Sequence, residues 1–309
     1  MQTPKISVIM AVRNMEATLP NTLDALLNQT FKDFEIVVTD DASEDGTTEI
    51  LEEYSKKDSR ISFVKNSVRK ERCFSRNIAI ERSKGKYIAV TDGDDFSFPE
   101  RLEKEYEYLE NNPDVYLVGS RAHILDEAGR NIGKSWGKKE DVEITEVLRE
   151  KNVLVHSSVM FRNTKEFKYR EKFKYAQDYD LFLQIIKKGY KVSLLGDFLV
   201  SYTDKKDLVF SDYVVKQTYF SEIARGILRE EIMYEDFDVD NLEKYVPERL
   251  VLEMKLKENF TNGKFKESRE YSKKLIKKDS SLWWKLYFVD SYFKGSLIKM
   301  GKRIKRSVI

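Results

Sequence analysis

Residues 6–12, Ile-Ser-Val-Ile-Met-Ala-Val, form an almost unbroken apolar run, the pattern of a parallel strand covered on both faces. Between Glu16 and Gln29 the period changes, and Leu19, Leu23, Leu26 and Leu27 recur at helical spacing. The alternation then repeats. Strands are predicted over 35–39, 61–64 and 87–91. Helices are predicted over 47–57, carrying Ile50, Leu51 and Tyr54, and over 72–84, where Gly85 stops the pattern. Strands and helices in strict succession specify an α/β domain with a mostly parallel sheet and crossover helices. Pro99 suits the first position of a further helix whose apolar side is Leu102, Tyr106 and Leu109. Beyond it come strands at 115–118 and 155–161, separated by a polar stretch, 126–141, with three glycines. A helix over 178–188 ends at Gly189, and two β-rich runs follow at 191–195 and 198–202.

From about Tyr213 onward the pattern is helical only, with stretches at 217–229, 242–259, 264–277 and 281–300, and Gly263 between the middle pair. No fixed period links them, so they do not constitute a repeat array. The expected organisation is a catalytic domain over 1–212 and a helical C-terminal region over 213–309.

Composition excludes more than it selects. The 55 basic residues nearly cancel 53 acidic ones, leaving a formal charge of +2 that favours no partner. The single cysteine, Cys73, has no internal partner for a disulfide, and no Cys/His spacing suits zinc. The N-terminal apolar run is too short for a signal peptide, and no apolar stretch approaches the ~20 residues that cross a bilayer. A cytoplasmic protein, touching membrane only from its surface, is expected.

The candidate chemistry sits at strand ends. Asp40-Asp41 follows Ile36-Val37-Val38, and Asp92-Gly93-Asp94-Asp95 follows Ile88-Ala89-Val90. In an open α/β sheet ligands bind outside the carboxyl ends of the strands, so the two clusters converge on one crevice. Two carboxylates on a turn, completed by substrate phosphates, suit Mg²⁺ or Mn²⁺. A dinucleotide-binding fold also ends its second strand with an acid, but it needs a glycine-rich turn after strand one. Here that position reads Met10-Ala11-Val12-Arg13-Asn14, which sets nicotinamide and flavin cofactors aside.

The order Ile6-Ser-Val-Ile-Met-Ala-Val-Arg-Asn14, Val37-Val-Thr-Asp-Asp-Ala-Ser-Glu-Asp-Gly-Thr47, Ser75-Arg-Asn-Ile-Ala79, Gly85-Lys-Tyr-Ile-Ala-Val-Thr-Asp-Gly-Asp-Asp95 and Ala176-Gln-Asp-Tyr-Asp-Leu181 resembles glycosyltransferase family 2 over about residues 4–205. The C-terminal third is outside the resemblance. The resemblance implies a GT-A fold, a nucleotide-diphosphate sugar donor of UDP-sugar type, a divalent metal and inversion at the anomeric carbon. By position, Asp41 would accept from the base edge, with Asp40 a second candidate for that pocket. Asp92 would lie by the ribose or the metal's water shell, Asp94 would bind the metal, and Arg76 would lie near base or phosphates. Asp178 matches the catalytic base, with Gln177 where many relatives have Glu. The stretch His156-Ser-Ser-Val-Met-Phe-Arg162 also resembles a family segment, so that His156 would touch a donor phosphate or the acceptor. The Gln-x-x-Arg-Trp motif of processive members is absent, which implies one sugar added per encounter.

On the residues themselves, Asp178 opens a helix, where the positive end of the macrodipole favours its charge; a plain helix cap is the alternative reading. Trp136 either stacks on a sugar or is an ordinary surface residue. In 281–300, Leu282, Leu286, Val289, Phe293, Leu297 and Met300 share one helical face, followed by a basic end. That helix either lies on an anionic membrane or packs on the catalytic domain. Nothing accompanies the basic tail that would recognise nucleic acid. The expected reaction is sugar transfer to a glycan or lipid-linked acceptor in bacterial surface polysaccharide assembly. Two alternatives remain. A sugar-phosphate nucleotidyltransferase would need a glycine- and basic-rich loop after strand one, and a catalytically silent glycan- or membrane-binding module would have no use for both Asp94 and Asp178.

Overall fold

The computed structural model describes residues 3–204 and 212–278, so the amphipathic stretch 281–300 and the basic tail lie outside the described residues. The chain divides into two compact units, Met1–Lys205 and Lys206–Ile309.

In the first unit β1 (Ile6–Val12), β2 (Phe34–Asp40), β3 (Ile61–Lys65) and β4 (Tyr87–Val90) lie parallel in the order β3-β2-β1-β4. β1 pairs with β2 from Ile6↔Phe34 to Val12↔Asp40, and with β4 from Ile6↔Tyr87 to Ile9↔Val90. All of β4 is buried, as are all but one residue each of β1 and β2, which is why these strands read as apolar runs. The helices α1 (Leu19–Leu27), α2 (Thr47–Lys57) and α3 (Arg72–Arg82) are the crossovers. Parallel pairing brings β1, β2 and β4 out at one edge of the sheet, where both acidic clusters emerge.

Gly85 stops α3's pattern for a packing reason. A Cβ there would lie 2.5 Å from the Ser7 nitrogen and 2.6 Å from the Ile6 carbonyl carbon, so only glycine lets the chain enter β4 against β1. Its N–H donates to the Ser7 hydroxyl at 2.8 Å.

The second half of the sheet is mixed. Along the chain come β5 (Phe96–Ser97), α4 (Arg101–Asn111), β6 (Val115–Leu125), β7 (Asn131–Lys134), β8 (Val142–Glu143), α5 (Thr145–Glu150), β9 (Val159–Arg162), α6 (Gln177–Lys187) and β10 (Lys191–Thr203). β9 runs antiparallel between β4 and β6, β10 lies parallel to β6, and β5 pairs antiparallel with β10 at the edge. Two expectations change. The runs 191–195 and 198–202 are one strand with a register shift around Gly196, and the strand expected from 155 begins at Val159 because His156–Ser158 forms a 3-10 turn. β5, β7, β8 and α5 span two to six residues, too short for a periodic signal.

Beneath the second acidic cluster Arg101 is fully buried and pairs with Glu105 at 3.1 Å. Its other nitrogens donate to the Val90 carbonyl at 2.7 Å and to Thr91 Oγ1 and Ser97 Oγ at 2.9 Å. One side chain thus grips both flanks of the 92–95 turn. Burial pushes the Glu105 carboxyl up to about 7 against the pull of Arg101.

In the second unit α7 (Asp212–Leu228) precedes a 3-10 turn at Leu242–Tyr245, and α8 (Glu248–Thr261) and α9 (Phe265–Lys278) form a hairpin around Leu252, Leu256 and Leu275. The single helix expected over 242–259 is broken at Pro247, which caps α8 instead. Gly263 turns the hairpin at φ +74°. Among the described residues no helix is long and apolar enough to cross a membrane.

Candidate active site

At the end of β2 the two consecutive acids part company. Asp40 is fully buried, and its Oδ1 accepts from the Ser43 N–H at 2.9 Å and the Ser43 hydroxyl at 2.6 Å, while Oδ2 accepts from Thr48 Oγ1 at 2.7 Å. Its carboxylate organises the turn into α2 and offers no oxygen to the crevice, which corrects the expectation that it shares the base pocket. Asp41 faces the other way. Oδ1 accepts from Asn66 Nδ2 and the Lys70 N–H, both at 2.8 Å, and Oδ2 from the Glu71 N–H at 2.9 Å. Burial works against its charge, but hydrogen bonds from Lys70, Asn66, Ser75 and Glu71 outweigh it and hold the carboxyl below its ordinary value. Asp41 closes a cavity of about 150 Å³ whose walls include Arg13, Arg69 and Arg72.

The 92–95 turn is tied down from several elements. Thr18 Oγ1 donates to the Gly93 carbonyl and Thr22 Oγ1 to the Asp95 carbonyl, each at 2.9 Å, and a Cβ on Gly93 would meet Val12 at 2.9 Å. Asp92 Oδ1 accepts from Arg76 Nη2 at 2.6 Å, and His156 Nδ1 lies 3.3 Å from Oδ2. Burial opposes the Asp92 charge, yet Arg76 and His156 overcome it and keep the carboxyl far below the usual range. Asp95, bonded by the Ser157 hydroxyl, goes the opposite way: burial and the neighbouring Asp92 charge push it up to about 8. Asp94 lies half-buried on the same turn.

Arg76 occupies the centre of this network. It is 6% exposed, rests 5.4 Å over the Tyr169 ring, and gives its second nitrogen, Nη1, to Gln177 Oε1 at 2.6 Å. Tyr169 OH lies 2.8 Å from His156 Nε2, which closes a ring of contacts around Asp92. Arg76, expected near base or phosphates, and His156, expected to touch a donor phosphate or the acceptor, are both held by protein partners and brace the acidic turn.

Gln177 is the first residue of α6, and Asp178 the second. Ala176, before them, takes a left-handed φ of +51°, which turns the chain sharply into the helix. Asp178 is half-buried and accepts from Asn152 Nδ2 at 2.9 Å, so its carboxylate is an oriented group and no helix cap. The structure thus joins Asp92, Arg76, His156 and the start of α6 in one network and places Asp41 in the neighbouring cavity. Sequence reasoning missed Asn152, Ser157 and Tyr169, which lie on short or irregular segments without periodicity, and Thr18 and Thr22, which look like ordinary polar positions on an amphipathic helix. Trp136, 41% exposed, has Lys151 over its ring at 5.8 Å.

Among the described residues no group of three or more His, Cys, Asp or Glu could enclose a metal ion. Asp92 is engaged by Arg76 and His156, and Asp95 by Ser157, so an ion at this turn would have to take most of its oxygen ligands from a substrate's phosphates.

Residues 7–173 match the profile described as Glycosyl transferase family 2. The chain belongs to this family. An uncharacterized glycosyltransferase of Methanocaldococcus jannaschii is 37% identical over 72% of this chain and 78% of its own length. The UDP-Glc:alpha-D-GlcNAc-diphosphoundecaprenol beta-1,3-glucosyltransferase WfaP of Escherichia coli is 30% identical over 60% of this chain and 72% of its own. Among solved structures, S. aureus TarS 1-349 in complex with UDP-GlcNAc superposes with a TM-score of 0.57, at 18% identity, over 96% of this chain and 92% of that one. The fold of this family 2 member is accordingly GT-A, an α/β sheet with flanking helices and a helical C-terminal region.

Proposed function

We propose that this protein is an inverting glycosyltransferase that moves a sugar from a nucleoside diphosphate sugar, of the UDP-sugar class, to a glycan or lipid-linked acceptor in bacterial surface polysaccharide assembly. The observation that carries the reading is the union, through Arg76, of the acidic turn after β4 with the helix start that bears Asp178, beside the cavity floored by Asp41. The donor's base would seat on Asp41, with Arg13, Arg69 and Arg72 supplying positive charge for its phosphates. The WfaP name, with its UDP-linked donor and diphosphoundecaprenol acceptor, supports the same substrate classes. A lipid-linked acceptor would bring the work to the cytoplasmic face of a membrane.

Asp178 takes the proton of an acceptor hydroxyl while that oxygen attacks the anomeric carbon, and Asn152 holds the carboxylate in register for the transfer. The bond from that carbon to the diphosphate breaks as the new glycosidic bond forms, and the nucleoside diphosphate leaves with the electron pair. One displacement inverts the centre. Asp94, with Asp92 beside it, would hold Mn²⁺ or Mg²⁺, and a bound ion would supply positive charge to neutralise the departing diphosphate.

The test has two arms. A thermal-shift panel of nucleotide sugars with and without Mn²⁺ is expected to give stabilisation by one donor class and dependence on the metal. With that donor, Asp178→Asn is expected to reduce transfer by ~10²–10⁴-fold, the scale of general-base catalysis, with little change in donor affinity. Indifference to every donor, or full activity in Asp178→Asn, overturns the reading.

A further inference from the structure

Arg76 and Gln177 are separated by a hundred residues of chain, yet their side chains meet at 2.6 Å in the protein interior. Arg76 faces two ways, with Nη2 on Asp92 of the acidic turn and Nη1 on the residue immediately before Asp178. Gln177 is itself 8% exposed and anchored by its Nε2 to the Lys174 carbonyl at 3.1 Å. Its neighbour Ala176 holds a left-handed backbone, so the entry into α6 is fixed by contacts and not by propensity. An amide at this position gives Arg76 an acceptor oxygen without a second negative charge, which leaves the guanidinium's charge to Asp92.

We propose that Arg76 and Gln177 are a paired positioning device that sets the distance between Asp178 and the 92–95 turn. The device rests on the reading of Asp178 as the general base. A planar guanidinium with two forked donor edges spans two acceptors in fixed geometry, which a lysine does not. Proton transfer and attack are sensitive to placement: a displacement of ~1 Å far from the chemistry costs about 10²-fold in rate. Neither side chain needs to touch donor or acceptor for this effect.

The experiment compares Gln177→Leu, Gln177→Asn, Gln177→Glu and Arg76→Lys with the wild-type chain, reading UDP release from UDP-Glc or UDP-GlcNAc, whichever the wild type turns over. Leucine removes the oxygen, asparagine withdraws it by one methylene, and glutamate restores an acceptor of the same reach. Gln177→Leu, Gln177→Asn and Arg76→Lys are expected to lose ~10–100-fold in kcat with KM for the donor within about threefold, while Gln177→Glu stays within about threefold on both. Leucine and asparagine variants with wild-type kcat, or a KM that rises in step with the loss, overturn the proposal. A wild type that turns over neither nucleotide bears on the choice of donor and not on this link, which is then read from crystal structures alone. In those the Asp178 carboxylate of Gln177→Leu is expected to move by ~1 Å relative to the 92–95 turn; superimposable positions overturn it. Should Arg76→Lys fail to fold, the Gln177 series carries the test by itself.

Discussion

Asp40 and Asp41 are neighbours with opposite duties, and substitution separates them. Successive side chains at a strand end point to opposite faces, so one carboxylate enters the turn and the other the cavity. Asp40→Asn puts an amide NH2 where Ser43 or Thr48 donates, and is expected to destabilise the protein by ~1–3 kcal/mol, the cost of an unmade buried hydrogen bond, while leaving donor KM unchanged. Asp41→Asn sets an amide against the N–H groups of Lys70 and Glu71, so it is expected both to raise donor KM and to lose a similar amount of stability. The Asp41 effect has a pH signature. Its folded pKa lies below the ordinary 3.8, so the ionised group contributes its stability above 3.8 and loses it as pH falls through the lower folded value. The gap between wild type and Asp41→Asn in denaturant midpoint is thus expected to be widest near neutrality and to narrow in acid; a gap that widens there contradicts the assignment. At this scale the sequence identified both acids by their place after β2 but not which one turned outward, because two adjacent residues carry the same periodic information. Arg76 was singled out in the sequence by its place before the acidic strand, but its partners were illegible: a long side chain reaches several groups, and Gln177 lies far away along the chain.

Elements position the site through backbone geometry that few residues tolerate. Asn14, Ala42, Glu71 and Ala176 all hold positive φ, and each sits where a strand or loop hands the chain to the crevice. Such strain persists only where surrounding contacts fix it, and it gathers at functional sites. Ala176→Gly relieves the left-handed alanine, worth ~1–2 kcal/mol, and pays part of this back as unfolded-state entropy. A gain of up to ~1 kcal/mol in unfolding free energy is expected by urea titration; a loss would mean that Ala176 is not strained. Gly85→Ala acts in the opposite direction. The 2.5 Å approach of its Cβ to the Ser7 nitrogen is a clash with backbone, which no rotamer change relieves, so a loss of at least ~1–3 kcal/mol is expected in the same titration. An unchanged midpoint would show that β1 and the 85–86 segment separate easily. The parallel half of the sheet was legible because its strands are buried on both faces and therefore apolar throughout. Gly85 was read as a helix stop, since its contact with β1 is a tertiary fact that local pattern does not carry. β5 and β7 escaped for a different reason: their pairing partners, and not their own two to four residues, hold them in place.

At the scale of the molecule the division at Lys205 places every proposed site residue, from Asp41 to Asp178, in one unit. That unit has its own sheet from β3 to β5 and a core running from Ile6 through Leu199. A chain ending at Lys205 is therefore expected to unfold cooperatively and to keep the donor site. The measurable quantity is linkage: a ligand that binds only the folded state adds RT ln(1 + [L]/Kd), about 2.7 kcal/mol at a hundredfold excess over Kd. Full-length and shortened chains are expected to gain this increment equally from the donor that stabilises the wild type, because the increment depends on affinity and not on total stability. Transfer is the property expected to differ. If residues 206–309 serve the acceptor, the shortened chain keeps donor-dependent stabilisation while transfer to a lipid-linked acceptor falls and transfer to a soluble glycan analogue does not. A shortened chain that folds but gains nothing from donor would assign part of the donor site to the C-terminal unit, and equal transfer to both acceptors would remove the acceptor from it.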